Sequence, residues 1–305
     1  MHLLLSYGKE HLQVKVPAYS QVLTGKSVTP ISQPLEAIQK SLSTPIGSLA
    51  LSEIIQQKNP QSVCIVVSDH TRPVPNKLIL PPILNELTAA GIIPQKITIL
   101  LANGMHRETT AAEKLELVGQ EILDTYRVVD HHSRDTTSLY NFLIDGTPVS
   151  VSRLYYESEL KIITGFIEPH FMAGFSGGRK AICPGISGID TVQYFHSPKL
   201  LESPDASPGN LNQNPCHEFA TAVAKRVGVD FMVNVTINRD KQITGIFSGD
   251  LEQAYAAGIK ACEQQSLVQV KTPFDIVITT NGGYPLDRDL YQTVKGLVGA
   301  LAIVK

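Results

Sequence analysis

The chain has 305 residues, enough for two domains of ordinary size, and its 43% hydrophobic and 18% charged content lets it bury a core without disulfides. A formal charge of −2 provides no field to gather nucleic acid or an anionic membrane surface, and no apolar run approaches the roughly 20 residues that span a bilayer. The four cysteines, Cys64, Cys183, Cys216 and Cys262, are scattered without a C-x-x-C pair, which suggests neither a zinc knuckle nor a disulfide framework and fits a reducing cytoplasm.

The opening MHLLLSYGKEH has no basic start and no small-residue cleavage site, so it reads as a first strand rather than a signal peptide. Strands are expected over Leu3–Tyr7 and Leu12–Val16, and a helix over Leu35–Leu42. Val63–Val67 (VCIVV) is a β-branched run suited to a buried parallel strand. Lys77 to Ala90 has helical spacing and stops at Gly91. Ile97–Leu101 is the next strand and Thr110–Val118 the next helix. Val149–Leu154 and Leu160–Phe166 follow as strands, then His217–Val227 as a helix. Phe231–Ile237 and Gln242–Phe247 flank an NRDK turn as a hairpin. Asp250 is placed to cap a helix over Leu251–Ala261.

This alternation predicts an α/β fold with a mostly parallel sheet flanked by helices. A boundary is expected near Ser266–Pro273, giving an N-terminal domain over 1–268 and the beginning of a second α/β domain over 269–305. The second comprises a strand at Phe274–Thr280, an NGGYP turn and a helix over Leu290–Ala300. The chain then stops at Ala-Ile-Val-Lys, which reads as a truncated element.

Polar residues cluster where strands end. Asp69, His70, Thr71 and Arg72 directly follow VCIVV. In open α/β sheets ligands sit beyond the carboxyl ends of strands, and Arg suits a bidentate grip on carboxylate or phosphate. An Asp-capped turn with a solvated Arg accounts for the same residues equally well. Asn103-Gly104-Met105-His106 follows the ITILL strand in the same manner. The richest stretch runs from Gly165 to Gly185, with His170 and then a glycine-rich turn carrying Ser176, Arg179 and Lys180. Such a turn can converge backbone N–H groups on an anion, but the Walker A spacing fails, which argues against a nucleoside triphosphatase. His196 lies in YFHSP and is either structural or a metal ligand. Tyr291 and Lys295, four apart on the last helix, share one face, with Gln292 beside them.

Together SDHTRP, ANGMH, GFIEPHFMAGFSGGRKAICPG, YFHSP and YQTVK resemble the nickel-pincer lactate racemase family, in the same order and along the whole chain. The resemblance implies a pyridinium-derived mononucleotide that grips Ni(II) through sulfurs and a ring carbon. It makes Lys180 the covalent attachment point, through a thioester-like or thioamide bond, and groups Lys180 and His196 at the metal, with His196 as the protein's ligand. His106 and His170 become the general acid/base pair, and Asp69, His70, Thr71 and Arg72 line the cofactor pocket. Arg72, Tyr291, Gln292 and Lys295 hold the substrate, a short 2-hydroxy acid. Cofactor-maturation proteins are the implied partners, with no nucleic acid and no membrane. Family proteins are longer, the extra length completing the second domain.

The chemistry suits that residue set. The α-hydrogen of a 2-hydroxy acid is poorly acidic, so it leaves more readily as hydride while a histidine takes the hydroxyl proton. Two other readings use the same residues. A sugar-acid dehydratase or lyase would accumulate a keto product. A non-catalytic domain would hold a phosphorylated ligand in the glycine-rich turn and tolerate loss of both His106 and His170.

Overall fold

The computed structural model describes residues 1–284, 286–287 and 290–305, with Tyr291 and Gln292 described by backbone alone. An antiparallel hairpin of β1 (His2–Tyr7) and β2 (Glu10–Lys15) comes first. Two helices follow, α1 (Pro34–Ser43) and α2 (Leu51–Lys58). The alternating stretch then runs β3 (Val63–Ser68), α3 (Asn76–Ala89), β4 (Ile97–Ala102), α4 (Ala111–Val118), α5 (Gln120–Thr125) and β5 (Arg127–Asp130). A second hairpin, β6 (Leu139–Ile144) with β7 (Thr147–Ser152), leads through α6 (Arg153–Glu157) to β8 (Leu160–Phe166). Beyond β8 lie the two-residue strands β9 (Pro169–His170) and β10 (Gly174–Phe175), then α7 (Ile189–Phe195), α8 (Pro198–Leu201) and α9 (Pro215–Val227). The remaining elements are β11 (Phe231–Ile237), β12 (Ile243–Gly249), α10 (Gln253–Ser266) and α11 (Leu290–Leu301).

Six strands form one sheet in the order β12-β11-β8-β3-β4-β5, parallel except for the β12 edge. The alternation of side chains along each strand splits the core into two layers. Val63, Ile65 and Val67 of β3 face α1, α2 and α3 through residues such as Ile38, Leu51, Ile79 and Ile83. Cys64 and Val66, on the opposite face, meet Phe175, Phe195, Val223 and Ile259. Buried on both faces, the strand has no polar alternation, which is why it appears as a continuous apolar run.

Sequential strands step from β3 to β4 and β5 on one side, whereas β8, β11 and β12 lie on the other. The order therefore reverses between β3 and β8, and the crevice opened by that reversal is where such sheets bind ligands.

Two local outcomes differ from expectation. Asp145 (φ 47°) and Gly146 (φ 77°) turn the β6–β7 hairpin, an Asp-Gly signal for a tight hairpin that the sequence reading passed over. The strand expected over Phe274–Thr280 forms only an isolated bridge, Phe274 to Val304. Within the described residues that segment has no further ladder partner, and Ile276 is 80% exposed. No helix among the described residues is long and apolar enough to cross a membrane.

Candidate active site

The carboxyl ends of β3, β4 and β8 deliver their loops to one crevice of about 170 Å³. Its lining includes Asp69, Thr71 and Arg72 after β3, Asn103 to His106 after β4, Gly165 and Phe166 at the end of β8, and His170 beyond it. Lys180, His196 and Lys295 complete it from the glycine-rich turn, the end of α7 and α11. His70 is not in the lining. Its buried ring lies between Asp69 (3.9 Å) and Glu113 (3.7 Å). Tyr291 and Gln292 lie outside the residues whose side chains are described.

Each loop is fixed by its own polar bonds. In the β3 loop, Asp69 Oδ1 accepts from the backbone N–H (3.2 Å) and hydroxyl (2.7 Å) of Thr71. Its Oδ2 meets His106 Nδ1 at 2.7 Å, joining the β3 and β4 loops. Burial opposes ionisation of Asp69, but the bond and charge of His106, with Thr71 and Arg72, hold the carboxyl below its usual range. In the β4 loop, Asn103 donates to Asp130 Oδ1 at 2.9 Å, and Asp130 pairs with Lys114 at 2.6 Å. Gly104 N–H donates to Gly185 O at 2.9 Å and ties this loop to the end of the glycine-rich segment.

After β8, the hydroxyl of Ser176 donates to Phe166 O (2.8 Å) and accepts from Glu168 N–H (2.9 Å), folding the segment back on itself. His170 Nδ1 faces the backbone N–H groups of Met172 and Ala173, at 3.4 and 3.3 Å. Burial first, then the charges of Lys180, Arg72, Lys295 and Arg179, push the His170 imidazole well below its ordinary pKa. Burial also lowers Lys180 strongly, with Arg179 and Arg72 adding to it. Glu168 experiences the reverse: burial raises its carboxyl while Arg72, Lys295 and Lys180 oppose the rise.

Three backbone donors of the glycine-rich turn are engaged within the fold. Gly178 N–H donates to Asn234 Oδ1 at 2.8 Å, Ser176 N–H to Glu168 O and Lys180 N–H to Gly177 O, so these donors serve the fold. The glycines are needed for close approach instead. A Cβ on Gly177 (φ 75°) would strike Asn234 Oδ1, and one on Gly178 (φ 53°) would lie 2.9 Å from the Tyr255 ring. Behind the turn, the wholly buried Arg179 gives its guanidinium to Ala173 O (2.7 Å), Phe175 O (3.1 Å) and the Tyr255 hydroxyl. Asn234 and Tyr255 were not singled out from sequence. The available signal for Asn234 was a single amide in the apolar strand FMVNVTI.

The donors also bear on a metal. His196 Nδ1 donates to Val192 O at 2.8 Å, which leaves Nε2 as the ligating nitrogen, the arrangement typical of metal-bound imidazole. Among the described residues no three His, Cys, Asp or Glu side chains gather around one point. A metal held here would need to bring most of its own donors, as a pincer nucleotide does. Lys180, half-buried with its Nζ 4.9 Å from the Phe195 ring centroid, is on the same wall. The residues present fit such a group.

The family model described as the lactate racemase N-terminal domain matches residues 7–209, and the lactate racemase C-terminal domain matches 269–305. A lactate racemase of Lactiplantibacillus plantarum is 40% identical over 273 residues, covering 88% of this chain and 63% of the relative. A lactate racemase of Thermoanaerobacterium thermosaccharolyticum is 37% identical over 272 residues, with the same coverages of 88% and 63%. The chain therefore spans 63% of the length of these curated relatives. The solved lactate racemase apoprotein of T. thermosaccharolyticum superposes with a TM-score of 0.91 at 34% identity, covering 100% of this chain and 72% of that one. A Thermotoga maritima protein shares the fold at a TM-score of 0.64 and 18% identity, over 84% of this chain and 64% of that one.

Proposed function

Because the chain belongs to the lactate racemase family, we propose that its crevice inverts the stereocentre of a short 2-hydroxy acid of the lactate type. The observation that supports this reading is the convergence of two imidazoles, a half-buried lysine, a third histidine with Nδ1 occupied, and two further cations on one crevice.

Arg72 and Lys295 would hold the substrate carboxylate. Arg72 suits a bidentate grip, and Lys295 adds a point charge from α11. Lys180 would carry a nickel-pincer nucleotide by a covalent bond to Nζ, with His196 Nε2 as the protein's ligand to the metal. When bound, that group would supply an electron-poor centre able to serve as hydride acceptor and donor for C2. The chain supplies the rest. His106 and His170 manage the hydroxyl proton, Asp69 steadies His106, and the enclosing loops keep water from a planar 2-keto acid held by its carboxylate. Asp69, Thr71 and Arg72 would line the nucleotide's seat, with His70 supporting them from behind. Tyr291 and Gln292 belong to the same proposed substrate wall. Maturation proteins that make and load the nucleotide would be its partners, and a cytoplasmic setting follows from them.

The test is the intact mass of protein purified from a host that makes the nucleotide, followed by loss of optical rotation across a panel of 2-hydroxy acids. An adduct present in the parent and missing in Lys180→Ala, together with racemisation of at least one acid, is expected. A nickel-supplied parent that carries no adduct, or that accumulates a keto product, would count against the proposal.

A further inference from the structure

We infer that the first hairpin positions Lys295: the turn between β1 and β2 grips residues 280–287, the stretch that leads into α11, and so fixes how far that lysine reaches into the crevice. The role of Lys295 as a clamp on the substrate carboxylate rests on the racemase reading; the grip itself rests only on the contacts around Gly8.

Among the described residues β1 and β2 pair only with each other. A lone two-stranded hairpin is marginal in water, and this one leaves Leu4 and Leu12 exposed. Its turn supplies the missing support. Gly8, at φ 57°, donates its N–H to Asp287 Oδ2 at 2.6 Å, and its carbonyl accepts from Tyr284 N–H at 2.8 Å. The Thr280 hydroxyl donates to Ser6 O at 2.6 Å, and Lys9 Nζ lies 5.0 Å from the Tyr284 ring centroid. A Cβ on Gly283 (φ 81°) would lie 3.0 Å from Gly8 O, so the two turns meet backbone to backbone.

The gripped segment is itself a tight turn, in which Leu286 and Asp287 N–H donate to Gly283 O at 2.8 and 3.2 Å. Lys241, in the turn between β11 and β12, donates from Nζ to Tyr284 O at 2.9 Å and ties the segment to the edge of the main sheet. Helix α11 rests on its other end. A Cβ on Gly296 would lie 3.3 Å from Asn281 Oδ1 and 3.5 Å from Thr280 O. The helix buries little of its own apolar surface, with Leu290 79% and Leu301 72% exposed. Lys295 directly precedes Gly296 and lines the crevice. Any shift of residues 280–287 therefore passes through Gly296 to Lys295, and a displacement of about 1 Å is enough to weaken a positioned clamp.

The experiment compares the full chain with the double variant Thr280→Val/Asp287→Ala, which removes two of the hairpin's three hydrogen bonds to this segment. Without nucleotide, amide hydrogen exchange in β1, β2 and α11 should become about tenfold faster while β3, β4 and β8 stay unchanged. Under acetic anhydride, Lys295 should be labelled about threefold faster and Lys225 on α9 at its former rate. In nucleotide-loaded enzyme the double variant should raise KM for lactate about fivefold and leave kcat within about twofold. In a Lys295→Ala background the same two changes should add nothing, because the residue they position is gone. Unchanged exchange, faster exchange with Lys295 labelling unmoved, or KM effects that add in the Lys295→Ala background would each overturn the inference. If the parent racemises nothing while exchange and labelling respond as stated, it is the racemase reading that fails and the grip that stands.

Discussion

Gly177 has little freedom in the crevice wall. Its backbone lies at φ 75°, where a side chain is strained, and a Cβ would strike both Asn234 Oδ1 and the Phe166 carbonyl. Gly177→Ala should therefore cost about 2–4 kcal/mol, combining left-handed strain with overpacking, visible as a lower urea midpoint at unchanged slope. Asn234→Leu removes the acceptor for Gly178 N–H and should cost about 1–3 kcal/mol. A second residue-scale test concerns His131, which is 5% exposed and gives Nε2–H to Ser187 O at 2.8 Å. Burial lowers its pKa to about 4. Between pH 6.5 and 4 the unfolded chain holds a proton that the folded chain lacks, so stability falls as the pH drops through that window. The imidazole accounts for about 3 kcal/mol of that fall. His131→Asn should flatten the stability profile between these limits; a parent and variant of equal slope there would remove the argument. Asp69, Arg72, His106 and His170 stood out in sequence because they are polar residues placed soon after apolar strands, whereas Lys180, in the glycine-rich turn, and His196, at a helix end, drew their roles from the family resemblance. Asn234 did not stand out, because its role is to accept one backbone N–H from a turn 56 positions away, and only the folded sheet brings the two together.

At the scale of elements, α4 decides how the His106 loop is held. Thr110 caps it and accepts from Glu113 N–H at 3.3 Å, while the Glu113 carboxylate accepts from Thr110 N–H at 2.9 Å, a reciprocal capping box. The same carboxylate takes two guanidinium bonds from Arg107, at 2.6 and 2.8 Å, one residue beyond His106. One side chain thus starts the helix and closes the loop that presents a proposed base. Glu113→Ala should cost about 1–2 kcal/mol of stability and speed amide hydrogen exchange across residues 104–110. Glu113→Gln keeps the box and should lose less than half as much. An unchanged exchange pattern in Glu113→Ala would show that the loop is held by Asn103 and Asp130 alone. The Thr-x-x-Glu pattern of this cap was present in the sequence, as were the parallel strands, whose burial on both faces gives unmistakable apolar runs. Less visible were α2, α5 and α7, short helices stabilised by packing more than by propensity. Phe274–Thr280 shows the opposite failure. Its composition is that of a strand, but a strand exists only where a partner ladder does, and here a single bridge is formed.

For the molecule as a whole, β3 couples everything else. It lies inside the sheet between β8 and β4, sends Val63, Ile65 and Val67 into one core layer and Cys64 and Val66 into the other, and leads straight into Asp69. Neither layer can open without uncovering this strand, so the two layers and the crevice should be lost together in one transition. The cysteines provide an internal measure of this. All four are buried and free, and all four belong to the layer that backs the crevice: Cys64 on β3, Cys183 after the glycine-rich turn, Cys216 on α9 and Cys262 on α10. Burial raises the thiols well above their ordinary pKa, to about 12 for Cys183 and about 11 for Cys216 and Cys262, so folded protein offers neither access nor thiolate. In native buffer none of them should react with an aromatic disulfide reagent. In rising urea, peptide mapping should give four labelling midpoints that coincide with one another and with the loss of far-ultraviolet circular dichroism. An earlier midpoint for Cys262 alone would mean that α10, and with it Tyr255 behind the Lys180 turn, opens while the sheet persists. The crevice would then be a locally unstable unit, and the wall that carries Lys180 would be lost before global unfolding.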